Sequence, residues 1–123
     1  MQVAEAFRPG ALTCETDDPL VDVARELLEN STGVLAVLDG NMIVGIISER
    51  DIARAVAHGT DTSTATAEMF ATEHVETAKR DENTMTVARR MLDAGVRHLP
   101  VVQDSMVIGV ISMRDVLAVE AWT

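Results

Sequence analysis

The 123-residue chain has few aromatic residues: two Phe, one Trp and no Tyr. Its core must therefore be built from aliphatic side chains and Met. A single cysteine, Cys14, excludes an intrachain disulfide and favours a reducing compartment such as the cytoplasm. Because no base lies near it in the sequence, we expect this cysteine to be a small buried hydrophobe.

Basic residues are also scarce: 10 Lys and Arg stand against 20 Asp and Glu, which gives a net charge of −10. A nucleic-acid binder needs a basic surface, so we expect no nucleic-acid partner. No apolar run approaches the roughly 18 residues of a membrane span, and the first residues lack the basic and apolar regions of a signal peptide. We therefore expect no membrane partner and a cytoplasmic location.

Catalytic and metal-binding patterns are missing as well. The sequence has no nucleophile–base pair, no Gly-Lys-Ser/Thr phosphate loop and no His, Cys, Asp and Glu cluster at metal-ligand spacing. We expect a non-enzyme with no metal site and no resident cofactor.

An internal repeat decides the organisation. Residues 34–53 align with 98–117 without gaps, at a shift of 64, and eight of the twenty positions are identical. The identical pairs are Leu35/Leu99, Val37/Val101, Met42/Met106, Gly45/Gly109, Ile47/Ile111, Ser48/Ser112, Arg50/Arg114 and Asp51/Asp115. Residues 4–7 also resemble 67–70, at a shift of 63.

Each repeat carries the same predicted elements. Apolar residues at helical spacing predict two helices. The first has Asp18 as its cap and Pro19 at its first position, and it ends at Gly33. The second has Asn83 as its cap and ends at Gly95. Paired apolar runs predict hairpins over 34–47 and 98–111, the first with an Asp-Gly turn. Short strands are expected at 12–14 and 75–77, and further helices at 49–57 and 113–121.

The polar stretch 59–66 separates the repeats and is typical of a linker. We therefore assign residues 1–58 to a first repeat, 59–66 to the linker and 67–123 to a second repeat. About 60 residues is marginal for an independent core, so we expect the halves to pack as one pseudo-two-fold globule.

Two matched turns close the hairpins, at 45–51 and 109–115. Each has Ser and Asp at the i, i+3 spacing of a helix capping box, as Ser48/Asp51 and Ser112/Asp115. A helix N-terminus also offers free N–H groups to phosphate, and a carboxylate can accept both hydroxyls of a ribose. The motif therefore fits a helix cap alone or a ribose-phosphate site.

The order strand, helix, strand, strand, helix, present twice and closed each time by Gly-apolar-x-Ser-x-x-Asp, resembles a tandem pair of CBS domains. The run Val-Arg-His-Leu-Pro-Val-Val at 96–102 is similar to the second strand of that family. The resemblance covers residues 3–121 and implies an α/β fold (α+β by some counting) of two CBS repeats.

The resemblance implies a regulatory module that binds AMP, ADP, ATP or S-adenosylmethionine in clefts, one per repeat, with Mg²⁺ accompanying any ATP. In that family the motif Asp holds the ribose, the motif Ser lies beside the phosphate, and strand residues enclose the base. Carried over to the second repeat, the ligand-binding residues are Ser112, Asp115, Leu99, Pro100, Arg97, His98, Thr77 and Arg114. Carried over to the first repeat, they are Ser48, Asp51, Leu35, Ala36, Cys14 and Arg50.

Several of these residues also have a plain structural interpretation. Arg50 and Arg114 are compatible with solvated helix surfaces as well as with phosphate or dimer contacts. His98 is compatible with a strand residue whose ring is hydrogen-bonded within the protein. The first repeat has Gly33, Val34 and Ala36 at the positions of Arg97, His98 and Pro100, which leaves it fewer phosphate partners. We therefore rank the Ser112/Asp115 site above the Ser48/Asp51 site.

The predicted function is an adenine-nucleotide sensor that acts on a regulated protein, itself unidentified, through a ligand-dependent conformation. The alternatives are an interaction or dimerisation module with vestigial clefts, and a module for another adenosyl ligand such as S-adenosylmethionine or NAD. The family commonly forms head-to-head dimers, and we expect a homodimer. Its predicted face lies on the helices 84–94 and 113–121. Met85 and Met113 fit core packing, and the alternative is an exposed apolar patch of Met85, Met113, Val116 and Trp122.

Overall fold

The computed structural model describes residues 1–10, 12–73 and 76–121. By its contacts the chain divides into two compact units: a central unit, Leu12–Val75, and a terminal unit, Met1–Ala11 with Glu76–Thr123. The spatial units therefore differ from the sequence repeats, since the segment that opens each repeat folds with the hairpin of the other.

One helix precedes each hairpin and another follows it, as the repeat predicts. The elements begin with a 3-10 helix at Val3–Glu5. In chain order the strands and helices are β1 Arg8–Pro9, β2 Thr13–Glu15, α1 Leu20–Glu29, β3 Val34–Asp39, β4 Met42–Ser48, α2 Glu49–Ala57, α3 Ala67–Phe70, α4 Thr84–Ala94, β5 His98–Gln103, β6 Met106–Ser112 and α5 Met113–Ala121. The predicted α/β class is confirmed. Within the described residues, none of the helices combines the length and apolarity that crossing a membrane requires.

The central unit is built on a three-stranded sheet of order β2-β3-β4. Strand β2 runs parallel to β3, and β3 pairs antiparallel with β4. The apolar stripe of α1 packs on this sheet, and the buried side chains are aliphatic, as the shortage of aromatic residues requires. They include Leu20, Val23, Leu27, Leu35, Val37 and Ile47.

The terminal unit has its own three-stranded sheet, of order β1-β6-β5. Strand β1 pairs antiparallel with β6, so Arg8 lies opposite Val110. Helices α4 and α5 cover a second aliphatic core. Its fully buried members include Val3, Val87, Met91, Leu99, Val101, Ile111 and Val116.

The two predicted first strands have different outcomes. Thr13–Glu15 is a strand, and the Ala36 N–H donates to the Leu12 carbonyl at 3.0 Å. In the terminal unit, Val75 lies outside the described residues, Thr77 is not in a strand, and pairing is reduced to a bridge between Ala78 and Val101. The prediction of a strand at 75–77 is therefore wrong. Pro100 occupies the position of Ala36 and has no N–H to donate, which removes a ladder bond.

Two of the predicted helix boundaries also need correction. Helix α1 begins at Leu20 with Pro19 as its N-cap, because the Asp18 carboxylate accepts the Glu15 N–H at 2.9 Å instead of capping the helix. It ends at Glu29, and the turn that follows places Ser31 at φ 49°, so Gly33 does not end it.

The boundaries of α4 are confirmed. The Asn83 side chain accepts the Met85 N–H at 2.8 Å, and Gly95 ends the helix in the left-handed region at φ 70°.

The predicted linker is ordered against the start of α1. Thr62 and Ala65 carbonyls accept the N–H groups of Val21 and Leu20, and Ala65 is buried. The predicted apolar patch is only partly exposed. Met85 is 53% exposed, whereas Val116 is buried and Met113 packs against the core. Trp122 lies outside the described residues.

Candidate functional site

The first matched turn, in the central unit, is a capping box. Ser48 has an extended backbone, and its hydroxyl accepts the Asp51 N–H at 3.2 Å. In return, one oxygen of Asp51, Oδ2, accepts the Ser48 N–H at 2.8 Å and the Ser48 hydroxyl at 3.0 Å. These bonds satisfy N–H groups that the first turn of a helix otherwise leaves unpaired.

The second turn, in the terminal unit, has the same geometry. The Ser112 hydroxyl accepts the Asp115 N–H at 3.0 Å, and Asp115 Oδ2 accepts the Ser112 N–H at 2.9 Å. Both Ser–Asp pairs are therefore helix caps, as their spacing predicts. A cap engages only one carboxylate oxygen, which leaves the other oxygen, Oδ1, for a different partner.

The two turns differ in what holds that second oxygen. In the central unit, Arg54 Nη1 lies 3.3 Å from Asp51 Oδ1, and the Asp51 side chain is only 8% exposed. In the terminal unit the equivalent position is Ala118, and Asp115 Oδ1 has no hydrogen-bond partner among the described residues. The sequence predictions omitted Arg54, although the Arg54/Ala118 difference is visible in the repeat alignment.

The strand residues predicted to enclose a base fall into one set per unit. Leu35 and Ala36 are buried in β3, and Leu99 and Pro100 are buried in β5. The β5–β6 register places half-buried His98 opposite Ser112, whereas the β3–β4 register places buried Val34 opposite Ser48. The structure thus brings a titratable ring to the second turn and an aliphatic side chain to the first.

Backbone contacts tie each turn to the residue just before the first strand of its hairpin. The carbonyl of Gly33 accepts the Glu49 N–H at 3.0 Å, and the carbonyl of Arg97 accepts the Met113 N–H at 2.8 Å. Arg97 is exposed, and so are Arg50 and Arg114 in the first turns of α2 and α5. These three arginines are accessible to an anion near the turns.

The remaining predicted residues lie next to β3 and β5. Cys14 in β2 is buried, as predicted, and pairs with Val37. Burial raises the pKa of its thiol to about 12, and the carboxylates of Asp18, Glu15 and Glu26 contribute. Half-buried Thr77 lies outside any strand, and its carbonyl accepts a hydrogen bond from Arg90 at 2.5 Å.

The glycine of each motif has a packing role. A Cβ on Gly45 would lie 2.9 Å from the Thr72 carbonyl oxygen, and one on Gly109 only 2.2 Å from the Arg8 carbonyl oxygen. The backbone lies close to each glycine, at Thr72 beside β4 and at Arg8 beside β6, and only glycine allows that approach. The structure thus explains the Gly without a ligand.

Metal binding finds no support in the described part of the chain, where no group of three or more His, Cys, Asp and Glu residues could hold a metal ion.

Comparison with known proteins places this geometry in a family. The model of the CBS domain matches the chain twice, at residues 3–58 and 67–121. The chain therefore belongs to the CBS-domain family, as a tandem pair.

An uncharacterized protein from Methanopyrus kandleri is 30% identical over 125 residues, which cover 99% of this chain and 64% of that protein. A mitochondrial CBS domain-containing protein from Arabidopsis thaliana is 30% identical over 112 residues, or 86% of this chain and 54% of that protein. The chain thus spans about half to two thirds of the length of these curated relatives.

Solved structures give the same family. The CBS domain pair of protein MJ0100, solved in complex with 5′-methylthioadenosine and S-adenosyl-L-methionine, superposes with a TM-score of 0.89 at 27% identity and covers 99% of this chain and 97% of that one. A putative signal-transduction protein with CBS domains from Burkholderia ambifaria gives a TM-score of 0.85 at 29% identity, with coverage of 97% and 91%.

Proposed function

We propose that this chain is a regulatory module that binds an adenosine-containing small molecule, chiefly at the Ser112/Asp115 turn. The observation that carries the proposal is Asp115, whose Oδ2 caps α5 while its Oδ1 has no partner among the described residues. A free carboxylate oxygen can accept hydrogen bonds from ribose hydroxyls, as the acidic residue of dinucleotide-binding folds does. The similarity to a domain pair that binds two adenosyl compounds supports the same ligand class.

In this proposal each predicted residue has a specific role. Asp115 accepts the ribose hydroxyls through Oδ1, and the Ser112 hydroxyl, which also accepts the Asp115 N–H, faces the substituent on the 5′ carbon. Leu99, Pro100 and Thr77 enclose the base. Arg97, His98 and Arg114 meet a phosphate when the ligand carries one.

The central unit supplies the weaker site in this proposal. Its Asp51 is held by Arg54, and aliphatic Val34 replaces His98 beside the turn. The corresponding ligand contacts are Ser48, Asp51, Leu35, Ala36, Cys14 and Arg50.

The charge of the chain bears on which adenosyl ligand is preferred. A net charge of −10 repels polyanions at long range. This favours adenosine, methylthioadenosine, S-adenosylmethionine or AMP over ATP. The proposed regulatory step is a population shift, in which the ligand stabilises one arrangement of the chain and a partner protein reads it.

Calorimetry and thermal shift with AMP, ADP, ATP, NAD, S-adenosylmethionine and 5′-methylthioadenosine test the proposal. A ligand at one hundred times its Kd stabilises the folded state by about 2.7 kcal/mol. Asp115→Asn should weaken binding more than the matched Asp51→Asn, because Asn keeps the size of the side chain and removes its charge. If no adenosyl compound shifts the melting temperature, the chain is an interaction module instead.

A homodimer is part of the same proposal. In the terminal unit, Leu92 on α4 and Leu117 on α5 are 73% and 59% exposed, and Met85 adds to the exposed apolar surface of α4. Apolar area of this kind is typical of subunit contacts. Sedimentation equilibrium at micromolar concentration should give twice the mass of 13.3 kDa, and a monomer would contradict this part of the proposal.

A further inference from the structure

In the terminal unit, the segment 76–78 runs beside β5 without forming a regular strand. Ala78 makes two backbone bonds with β5: its N–H donates to the Pro100 carbonyl, and its carbonyl accepts an N–H from the same strand, each at 2.9 Å. The central unit has a further bond at the matched place, from the Ala36 N–H to the Leu12 carbonyl. Because Pro100 has no N–H, the segment 76–78 lacks that bond.

A side chain from α4 bonds to the same segment. The Arg90 guanidinium donates through Nη1 to the Thr77 carbonyl at 2.5 Å. Its other terminal nitrogen, Nη2, pairs with the Glu82 carboxylate, which also accepts the Lys79 N–H at 2.8 Å. One arginine therefore joins α4 to both ends of the segment 77–82.

The chemistry of arginine suits this double contact. A guanidinium presents its donors in a rigid planar fork, so it can bond to a carbonyl and a carboxylate at once, whereas a lysine ammonium is a point charge. The Arg90 and Glu82 side chains are only 27% and 24% exposed, so water screens their pairing less than that of two fully exposed chains. The hydrogen bond from Arg90 to Glu82 also raises the pKa of Arg90, which stays charged.

The central unit holds its matched segment in another way. At the shift of 64, Thr77 corresponds to Thr13 and Arg90 to Glu26. Thr13 belongs to β2 and pairs in register with β3, and Glu26 accepts a hydrogen bond from the Asn30 side chain at 3.1 Å. Strand pairing thus fixes the segment in the central unit, while the Arg90 side chain contributes that support in the terminal unit.

We propose that Arg90 is a positioning residue of the adenosyl site, because it holds Thr77 in the place where Thr77 encloses the base. This inference rests on the proposed function and adds a residue that does not itself touch the ligand. Without the Arg90 bond, the ligand would have to order Thr77 on binding, which lowers affinity. Contacts to the ribose and the phosphate belong to the turn at Ser112 and Asp115, so they should not depend on Arg90.

Arg90→Met tests the proposal, since Met keeps much of the length of the side chain and removes both donors. In the Asp51→Asn background, which isolates the terminal site, calorimetry should show adenosine affinity reduced about three- to tenfold. NMR titration with ribose 5-phosphate should give an unchanged Kd. Arg89→Met makes the same change at the neighbouring, exposed position of α4 and should alter neither value. Equal losses for both ligands, or equal effects of both variants, would overturn the proposal.

Amide hydrogen exchange gives a second readout, in the protein without ligand. In Arg90→Met the Ala78 N–H should exchange severalfold faster, because its segment opens locally, whereas the Val87 N–H within α4 should keep its rate. Faster exchange at both positions would show that the variant destabilises the whole unit, and the positioning role would be refuted.

Glu82→Gln is a milder variant at the other end of the contact. Gln keeps an acceptor for the Lys79 N–H and removes the charge that orients Arg90, so adenosine affinity should fall by a smaller factor, about two- to threefold. An unchanged affinity would contradict the proposal.

The outcomes separate this inference from the proposed function. A natural chain that binds no adenosyl compound would contradict the proposed function and this inference with it. A natural chain that binds adenosine, beside an Arg90→Met variant that binds it equally well, would overturn the role of Arg90 alone.

Discussion

Arg54→Ala is expected to strengthen ligand binding at the central unit, although it removes a residue beside the proposed site. The guanidinium of Arg54 lies 3.3 Å from Asp51 Oδ1, the oxygen that a ribose would need. A ligand must therefore break this ion pair before it can bind Asp51. The Arg54 side chain is 55% exposed, so the pair contributes the modest energy of a largely solvated contact, about 0.5–1 kcal/mol. Its removal should raise the affinity roughly two- to fivefold.

Adenosine and 5′-methylthioadenosine are the probes for this test, because neither carries a phosphate that Arg54 could bind. Calorimetry of the Asp115→Asn background isolates the central site. If Arg54 serves a phosphate instead, adenosine affinity stays unchanged and AMP affinity falls, and the competition described above is refuted.

Ala118→Arg is the reciprocal change in the terminal unit. It introduces a guanidinium three residues after Asp115, at the position of Arg54, and should reduce adenosine affinity there by a similar two- to fivefold. Ala118→Gln, which has a long side chain without charge, is the matched control and should change affinity less. Opposite signs for Arg54→Ala and Ala118→Arg would show that one residue position tunes both sites.

Three further outcomes test the structure itself. Gly109→Ala should lower the free energy of unfolding by about 1–3 kcal/mol or more, because the new Cβ meets the Arg8 carbonyl at 2.2 Å, and Gly45→Ala, with 2.9 Å to its nearest atom, should cost less in urea unfolding. Burial raises the pKa of Glu82, but the hydrogen bonds from Arg90 and from the Lys79 N–H, together with the charges of Arg90 and Lys79, lower it by more and leave it below the ordinary value of 4.5. The contribution of Glu82 to the free energy of unfolding should therefore be complete above pH 4.5 and fall as the pH drops through the folded-state pKa. Glu82→Gln should make the free energy of unfolding less dependent on pH in this acid range, and an unchanged dependence would contradict the pairing with Arg90. Cys14 should react slowly with a thiol reagent at pH 8 and fast in urea, because burial raises its pKa to about 12.

Local chemistry explains why much of the fold was predictable. Periodic apolar residues define α1 and α4, and the Ser–Asp spacing defines the two caps, since these signals involve residues only three or four positions apart. The gapless match between 34–53 and 98–117 predicted equal hairpins, and the registers of β3–β4 and β5–β6 are equivalent, including a shift after Val37 and Val101.

The predictions were wrong where a single residue made a different hydrogen bond, or a different packing contact, from the one that its position in the sequence indicates. Asp18 was predicted to cap α1, but its carboxylate satisfies the turn at Glu15 instead. The strand at 75–77 was predicted by analogy with 12–14, and Pro100 removes the N–H that would have joined it to β5. The alternative that places Val116 on an exposed patch is wrong, because the packing of α5 buries this side chain.

The sequence by itself determined the repeat, the family and the capped turns, because each is written in short-range patterns that one chain shows twice. Only the tertiary structure showed that residues 1–10 fold with the second hairpin, which explains why Gly109 tolerates no side chain. It also showed that Asp51 is held by Arg54 while Asp115 keeps an oxygen without a partner among the described residues. These features depend on where side chains from distant positions meet in space, and residue spacing alone does not encode such distances. The matched turns are therefore equal as helix caps and different as candidate sites.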